Sequence, residues 1–524
     1  MKTRSFLLSA LAALMLAGCS EDAREDEIPG NVLVGKAYLS LSLQSRTSTL
    51  TRVDNVKTEN GSAEESVVSD VTVLLFDEDE VCLDVVDFTG VKVGNSDGGT
   101  SPTAEASDAK LVPEKTKKVF VVLNSAKWTF TKEAVVGKAW STINTAIDAV
   151  IGDVATASKF MMASAGTKDK GALTPVTVHK PTAYTESAVQ QAKDAAKAAP
   201  ATINVDRLSA KVQVSQASGF TQPAGSNFTF NGWELSVTNK SVRLYSDLVT
   251  YDNATPGAVY RRDKNYLESE QPDITSNKEE NMDKAFNYLK NIDDVSKDMP
   301  AVAQVDKASL YCLENTMEAK AQQLGFTTKV VVKAQYTPGG IGKDASYFSW
   351  KGAYYTLAQL KAEYLKHANG SGLKVDLPAF LIKAGVMSQA EFDEGQNKRD
   401  EIVANLSDDV TAGNLNAKTG IIGRFCAVRY YHASVCYYDV LIRHDQNITT
   451  KMALGRYGVV RNNWYNIELN SVSGPGTPWI PDPSDPDPTN PTPPDTDDDE
   501  ADAYLSVKIT INPWTYWTQG VDLH

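Results

Sequence analysis

Side chains able to do chemistry are few and scattered along this 524-residue chain. Its five histidines, His179, His367, His432, His444 and His524, stand far apart, and no HExxH sets two of them on one helix face to hold a metal. There is no GxSxG nucleophile turn. Gly339-Gly340-Ile341-Gly342-Lys343 has the look of a phosphate loop. Thr337, however, stands where its first glycine belongs, and Asp344 follows the lysine where a hydroxyl is needed, so the stretch reads as a plain loop. The acidic runs Asp77–Glu80 and Asp497–Glu500 read as a turn and a solvated tail. No CxxC spacing is present, which leaves no zinc-type ligand set. Cys426 and Cys436 flank a hairpin-like stretch and form the candidate disulfide of an exported chain. No catalytic residue, metal or cofactor is therefore expected. Arg46 and Arg52 lie in a small, polar, Ser/Thr-rich stretch of the kind proteases reach, so the chain itself is a candidate substrate for cleavage there.

The elements around those positions give them meaning. Ala37-Tyr38-Leu39-Ser40-Leu41-Ser42-Leu43-Gln44 alternates apolar and polar residues, the period of a strand with one buried face. Ala503-Tyr504-Leu505-Ser506-Val507-Lys508-Ile509-Thr510-Ile511 repeats the pattern at the other end. Leu39, Leu41 and Leu43 match Leu505, Val507, Ile509 and Ile511 in facing, and Trp514 adds an anchor at the strand end. Two such strands suit one groove, which only one can fill at a time. A cut after Arg46 or Arg52 would remove the first copy as a placeholder, and the second copy of another molecule would take its position. Ladder hydrogen bonds and alternate side-chain pockets would hold it, at about 1.5–3 kcal/mol per buried apolar side chain, or ~6–12 for the four. Such a head-to-tail contact does not close on itself and gives a filament. The plainer reading makes both copies ordinary strands of one sheet.

The body between them reads as mainly β. Val71–Phe76 and Val119–Asn124 are β-branched runs, followed by Phe160–Met162 and a short Val176–Val178. Glu186 to Ala198, rich in Ala, Gln and Lys and stopped by Pro200, reads as a helix. Ile203 to Val214 reads as one long alternating strand closing a first domain. Further strands are expected at Phe228–Phe230, Trp233–Val237, Leu310–Asn315, Lys329–Ala334, Cys426–Tyr431, Val435–Ile442 and Trp464–Leu469. A helical period, with Leu357, Leu360, Tyr364 and His367 on one face, interrupts them between Thr356 and Leu406. From Gly474 to Glu500 nine prolines and a run of aspartates make an extended linker. At ~3.1 Å per residue it reaches roughly 60–80 Å, enough to deliver the last strand to a neighbour. It also serves as a tether on which that strand folds back.

Length exceeds one ordinary core, so two or more domains are expected. The net charge of −14 argues against nucleic acid. Lys2 and Arg4, then the apolar run Phe6 to Ala17, too short to span a bilayer, make a targeting signal. It ends in Leu16-Ala17-Gly18-Cys19, which resembles a lipobox, and the resemblance implies a lipid on Cys19. The acidic residues Glu21 to Glu27 resemble the surface-export tether of Bacteroidales lipoproteins.

Taken in order, several stretches resemble the fimbrillins of Bacteroidales, the type V pilins, and most nearly the shaft subunit of the short fimbriae. They are Leu16–Cys19, Lys118–Asn124, Phe160–Met162, Val205–Val212, Tyr311–Asn315, Tyr457–Tyr465, and Val507–Trp514 after the linker. The resemblance implies two tandem transthyretin-like β-sandwich domains with inserted helices and a C-terminal donor strand. It divides the chain into a signal peptide (1–19), a propeptide with placeholder strand 37–44 (20–46), an N-terminal domain (47–215), a C-terminal domain with the helical insertion (216–473), the linker (474–500) and the donor strand (501–524). It also implies travel as an outer-membrane lipoprotein to the cell surface, cleavage by a trypsin-like surface protease, and assembly with other copies and with anchor and tip subunits into an adhesive fimbrium. The alternatives are a tip or accessory fimbrillin, or a monomeric surface lipoprotein that binds a glycan or host protein. A surface glycan hydrolase would need paired carboxylates in a cleft, and nothing in the spacing points there.

Overall fold

In a computed structural model of the chain, the described residues are 33–45, 59–95, 106–251, 259–263, 283–289, 308–407, 426–480 and 505–515, with short interruptions inside them. Cys19, Arg46 and Arg52 lie outside them. The described chain is mainly β.

A large sheet organises the N-terminal half. Its order is Cys82–Asp87, Val71–Phe76, Lys118–Leu123, Met162–Ser164, Ala201–Arg207, Leu41–Ser45 and Val93–Asn95, with Thr174–Pro175 also paired to Lys118–Leu123. Val71–Phe76 and Lys118–Leu123 are almost continuously apolar because both faces of this sheet are covered. Val73, Leu75, Val119 and Val121 join Leu41, Leu43, Ile203 and Val205 on one face. Leu74, Phe76, Phe120 and Val122 pack on the other against Trp140, Val242 and Leu244. The expected strand Val176–Val178 is absent. The pairing lies just before it, at Thr174–Pro175, where Thr174 meets Val119.

Ile203 to Val214 is not one strand. It is Ala201–Arg207 followed by Ser209–Thr221, and the two belong to different sheets. The break falls at buried Leu208, whose side chain enters the second core of the large sheet. Ser209–Thr221 then lies in a five-stranded sheet ordered Ser309–Leu313, Ser209–Thr221, Asn463–Val472, Leu505–Thr515 and Glu59–Asn60. A three-stranded sheet of Asn227–Ser236, Lys329–Thr337 and Val435–Leu441 packs on it. Val212, Val214, Ile467 and Leu469 from the first meet Val330, Val332, Cys436 and Val440 from the second, two inner faces interdigitating as in a sandwich.

The helical insertion has its own core. Helices Leu357–Lys366 and Leu373–Lys383 place Leu360, Tyr364, Leu377 and Phe380 against Phe348, Trp350 and Tyr430. The first starts with a capping box, Thr356 with Gln359. The beginning of the expected linker is folded rather than extended. Thr477 bridges Tyr437, and Trp479 and Ile480 are buried. Apolar residues at the start of a proline-rich run still seek a core, and here the outer side of Val435–Leu441 offers one.

Candidate functional site

The head segment occupies a slot closed on every side. It changes sheets halfway. Lys36–Leu39 pairs antiparallel with Lys110–Pro113, and Leu41–Ser45 inserts between Ala201–Arg207 and Val93–Asn95, parallel to both. The change falls at Ser40, where Ser107 carries the turn. Ser40 Oγ donates to the Ser107 carbonyl at 2.7 Å, and the Leu41 N–H donates to Ser107 Oγ at 2.9 Å. Leu39, Leu41 and Leu43, at 0–1 % exposure, sit in the core of the large sheet.

The other face of the segment is buried too, although alternation predicts it exposed. Ser40 and Ser42 are buried, and so is Tyr38. The helix Glu186–Ala198 supplies the cover. Thr185 caps it by accepting from the Ala188 N–H, and its Val189, Ala192 and Ala196 form an apolar stripe over Tyr38. Lys193 Nζ lies 5.7 Å from the Tyr38 ring. Tyr38 and His179 exchange backbone hydrogen bonds of 2.8 and 2.9 Å. Ser45 ends the strand fully buried, and its Oγ has no hydrogen-bond partner.

The tail strand lies in a different slot of the same chain. Leu505–Thr515 pairs antiparallel with Asn463–Val472, from Leu505 opposite Val472 to Pro513 opposite Asn463. It is folded back on its own chain, the alternative use of the linker. Leu505 and Ile509 are buried in the core of the C-terminal sandwich and Val507 packs against it, while Ser506 and Lys508 are exposed. Ile511 falls opposite Tyr465 and Trp514 opposite Glu59, with their side chains outside the described residues. On its outer side, among the described residues, the strand pairs with Glu59–Asn60, at Trp514 and Thr515. A gain of ~6–12 kcal/mol therefore overstates any exchange, because it counts from a solvated strand. The relevant quantity is the difference between two slots.

A polar junction that alternation did not reveal joins the sheets. Glu65, 3 % exposed, accepts from Lys211 Nζ at 2.8 Å and from the Tyr311 hydroxyl at 2.6 Å, while its carbonyl accepts from Arg207. Burial pushes the Glu65 carboxyl up, but the hydrogen bonds of Lys211 and Tyr311 and the charge of Lys211 outweigh it and leave it below its ordinary value. Lys211 Nζ also stands 3.8 Å from the Trp464 ring centre. Deeper in, Arg461 grips Glu314 with two bonds of 3.0 Å, and Arg261 reaches Asp206 at 2.6 Å. Burial raises the Glu314 carboxyl, and the charges of Arg461 and Arg261 override it, so it too lies below its ordinary value. Asn462, at φ 58°, links the two sets through Asp206 and Arg207. The available signal was charge inside alternating strands: Asp206, Arg207 and Lys211 sit where a simple amphipathic strand has none.

No disulfide joins Cys426 and Cys436. The hairpin expected between them does not form, because Val428–Tyr431 pairs with Tyr347–Trp350 while Val435–Leu441 pairs with Lys329–Thr337. Cys426 packs on the helical insertion and Cys436 lies inside the C-terminal sandwich. Burial pushes the Cys436 thiol up to about 11 and that of Cys312 to about 12.

Residues 429–520 match the family described as major fimbrial subunit protein type IV, fimbrillin, C-terminal. The matched stretch holds the strands Val435–Leu441, Asn463–Val472 and Leu505–Thr515. A search of curated proteins finds no match. Among solved structures the chain is similar to a putative cell adhesion protein from Parabacteroides distasonis, at 12% identity over 93% of this chain and 98% of that one, with a TM-score of 0.39. It is also similar to the tip fimbrial protein Mfa3 from Porphyromonas gingivalis, at 11% identity over 91% and 100%, with a TM-score of 0.33. The fimbrial anchor protein Mfa2 of the same organism shares 14% identity over 58% and 78%, with a TM-score of 0.23. Likenesses this low carry no functional argument. What the comparisons give is a similarity of the C-terminal stretch, residues 429–520, to the fimbrillin family of fimbrial subunits.

Proposed function

We propose that this chain is the shaft subunit of an adhesive surface fimbrium and that it polymerises by donor-strand exchange after proteolysis. It would reach the outer membrane as a lipoprotein through Cys19, and a trypsin-like protease would cut after Arg46, or after Arg52. The cut releases the head segment. In an intact chain the head fills its slot, so the tail lies on its own sandwich. Once the head leaves, Lys110–Pro113, Ala201–Arg207 and Val93–Asn95 each lose a ladder partner, and open edges of this kind recruit another strand. The partner is the tail of the next subunit, with anchor and tip subunits ending the polymer. Two tandem sandwich domains divide the chain in this reading, with the change of sheet at Leu208 between them.

The observation that carries the proposal is the difference between the slots. Among the described residues the tail's own slot has one neighbour along its length, Asn463–Val472, a two-residue pairing with Glu59–Asn60 on the other side, and exposed Ser506 and Lys508. The head's slot has a neighbour on each side and cover on both faces. Moving from edge to centre adds ladder hydrogen bonds and buried area, which biases exchange forward. Chain trimmed after Arg46 or Arg52 should run as a ladder on a gel without boiling, and trimmed chain ending at Asp498 should run as a monomer. A full-length trimmed chain that stays monomeric would sink the proposal.

A further inference from the structure

The tail matches the head most closely over Ala503-Tyr504-Leu505-Ser506, identical to Ala37-Tyr38-Leu39-Ser40. These are the head positions whose contacts depend on residue type. Ala37 is fully buried, with no surface left for a larger side chain. Tyr38 fills the apolar pocket beneath Val189, Ala192 and Ala196. Leu39 enters the core of the large sheet, and Ser40 makes the bond to Ser107 that turns the strand from one sheet to the other. Past Ser40 identity stops, and the replacements have a direction. Leu41, Ser42, Leu43, Gln44 and Ser45 become Val507, Lys508, Ile509, Thr510 and Ile511. Four of those five are β-branched, which favours a strand. The last puts an apolar side chain where the head has a buried hydroxyl without a partner.

We propose that the pocket beneath the helix Glu186–Ala198 is the register-setting receptor for Tyr504 of a second copy, so that the incoming tail aligns Tyr504 with Tyr38 and Ile511 with Ser45. The inference rests on the donor-strand reading and adds to it the residue that fixes alignment. A strand slipped by two residues would still bury its alternate apolar side chains, so alternation alone does not choose the register. Tyrosine does, because Tyr38 is the one ring within Lys36–Ser45 and it packs under Val189, Ala192 and Ala196. The same register sets Lys508 at the place of Ser42, which is only 7 % exposed. That is a poor place for an ammonium group, which in its own chain is exposed opposite Glu468.

The test offers fluorescein-labelled peptides of residues 501–515 to intact chain and to chain trimmed beforehand by limited trypsin digestion, with the trypsin fully inhibited before any peptide is added, since Lys508 is itself a trypsin site. Label retained on the chain is read by gel filtration over a peptide dilution series. The wild-type peptide should be captured by trimmed and not by intact chain. Y504A should need about tenfold or more peptide for the same capture, through loss of a buried ring, and Y504F should stay near wild type. I511S should weaken capture, and K508S should strengthen it by about tenfold as the cost of burying charge is removed. Equal capture of the wild-type, Y504A and K508S peptides would overturn the register while leaving the donor-strand reading standing. No capture of the wild-type peptide by trimmed chain would overturn both.

Discussion

Glu65 holds together groups from three strands and carries a buried charge that Lys211 pairs at 2.8 Å. Glu65→Ala leaves an ammonium group that is 7 % exposed without its counter-charge, at an expected cost of about 3–5 kcal/mol in unfolding free energy. Replacing both partners by apolar residues, Glu65→Leu with Lys211→Met, should cost less than the single change, and urea denaturation of the three variants checks this. His444 gives the pH dependence. Burial pushes its pKa down from 6.5 to about 4, so between those values the unfolded chain takes up a proton that the folded chain refuses. Stability is then untouched above about pH 6.5 and falls as pH drops toward 4, by about 3 kcal/mol in all. The urea midpoint should follow that window, and His444→Gln should flatten it. The thiols give a third check. Cys82, Cys312 and Cys436 are buried and pushed up to between about 11 and 12, so a maleimide should label half-buried Cys426 first and reach the others only on unfolding. An unreactive Cys426 beside a readily labelled Cys436 would contradict the packing.

At the scale of elements, the head and tail strands look alike in sequence and behave differently in place. Alternation identified both as strands and gave the inward leucines of the head. It did not show that Ser40 and Ser42 would also be buried, nor that Tyr38 would lie under a helix almost 150 residues further on. The helix itself was legible to its last residue: its alanines, its Thr185 cap and the proline after it are local signals. The break at Leu208 was not legible, since the alternation runs through it unchanged and only the partners differ on either side. The polar junction was quoted in pieces, as Val205–Val212, Tyr311–Asn315 and Tyr457–Tyr465. Nothing in a linear chain says that these three stretches meet. The difference in place predicts a difference in protection. Amide exchange on the intact chain should be slower for Leu41–Ser45, paired on both sides, than for Leu505–Thr515, which among the described residues is paired on its outer side only at Trp514 and Thr515. The reverse order would mean that the tail is already in the more stable slot and has no reason to leave it.

For the whole molecule, the head and tail slots belong to different sheets, so one chain can hold both segments at once. In the proposed exchange that separation is what a switch requires: the intact chain holds both segments, and trimming would leave one slot empty and one strand better placed elsewhere. The central claim can be divided between two chains. A donor-only chain keeps its tail and, with Arg46→Gln and Arg52→Gln, its head; an acceptor-only chain is trimmed and ends at Asp498. The account predicts that each is monomeric alone and that mixing gives a one-to-one dimer stable on an unboiled gel, with nothing longer. No dimer on mixing, or a ladder from either chain alone, would contradict it.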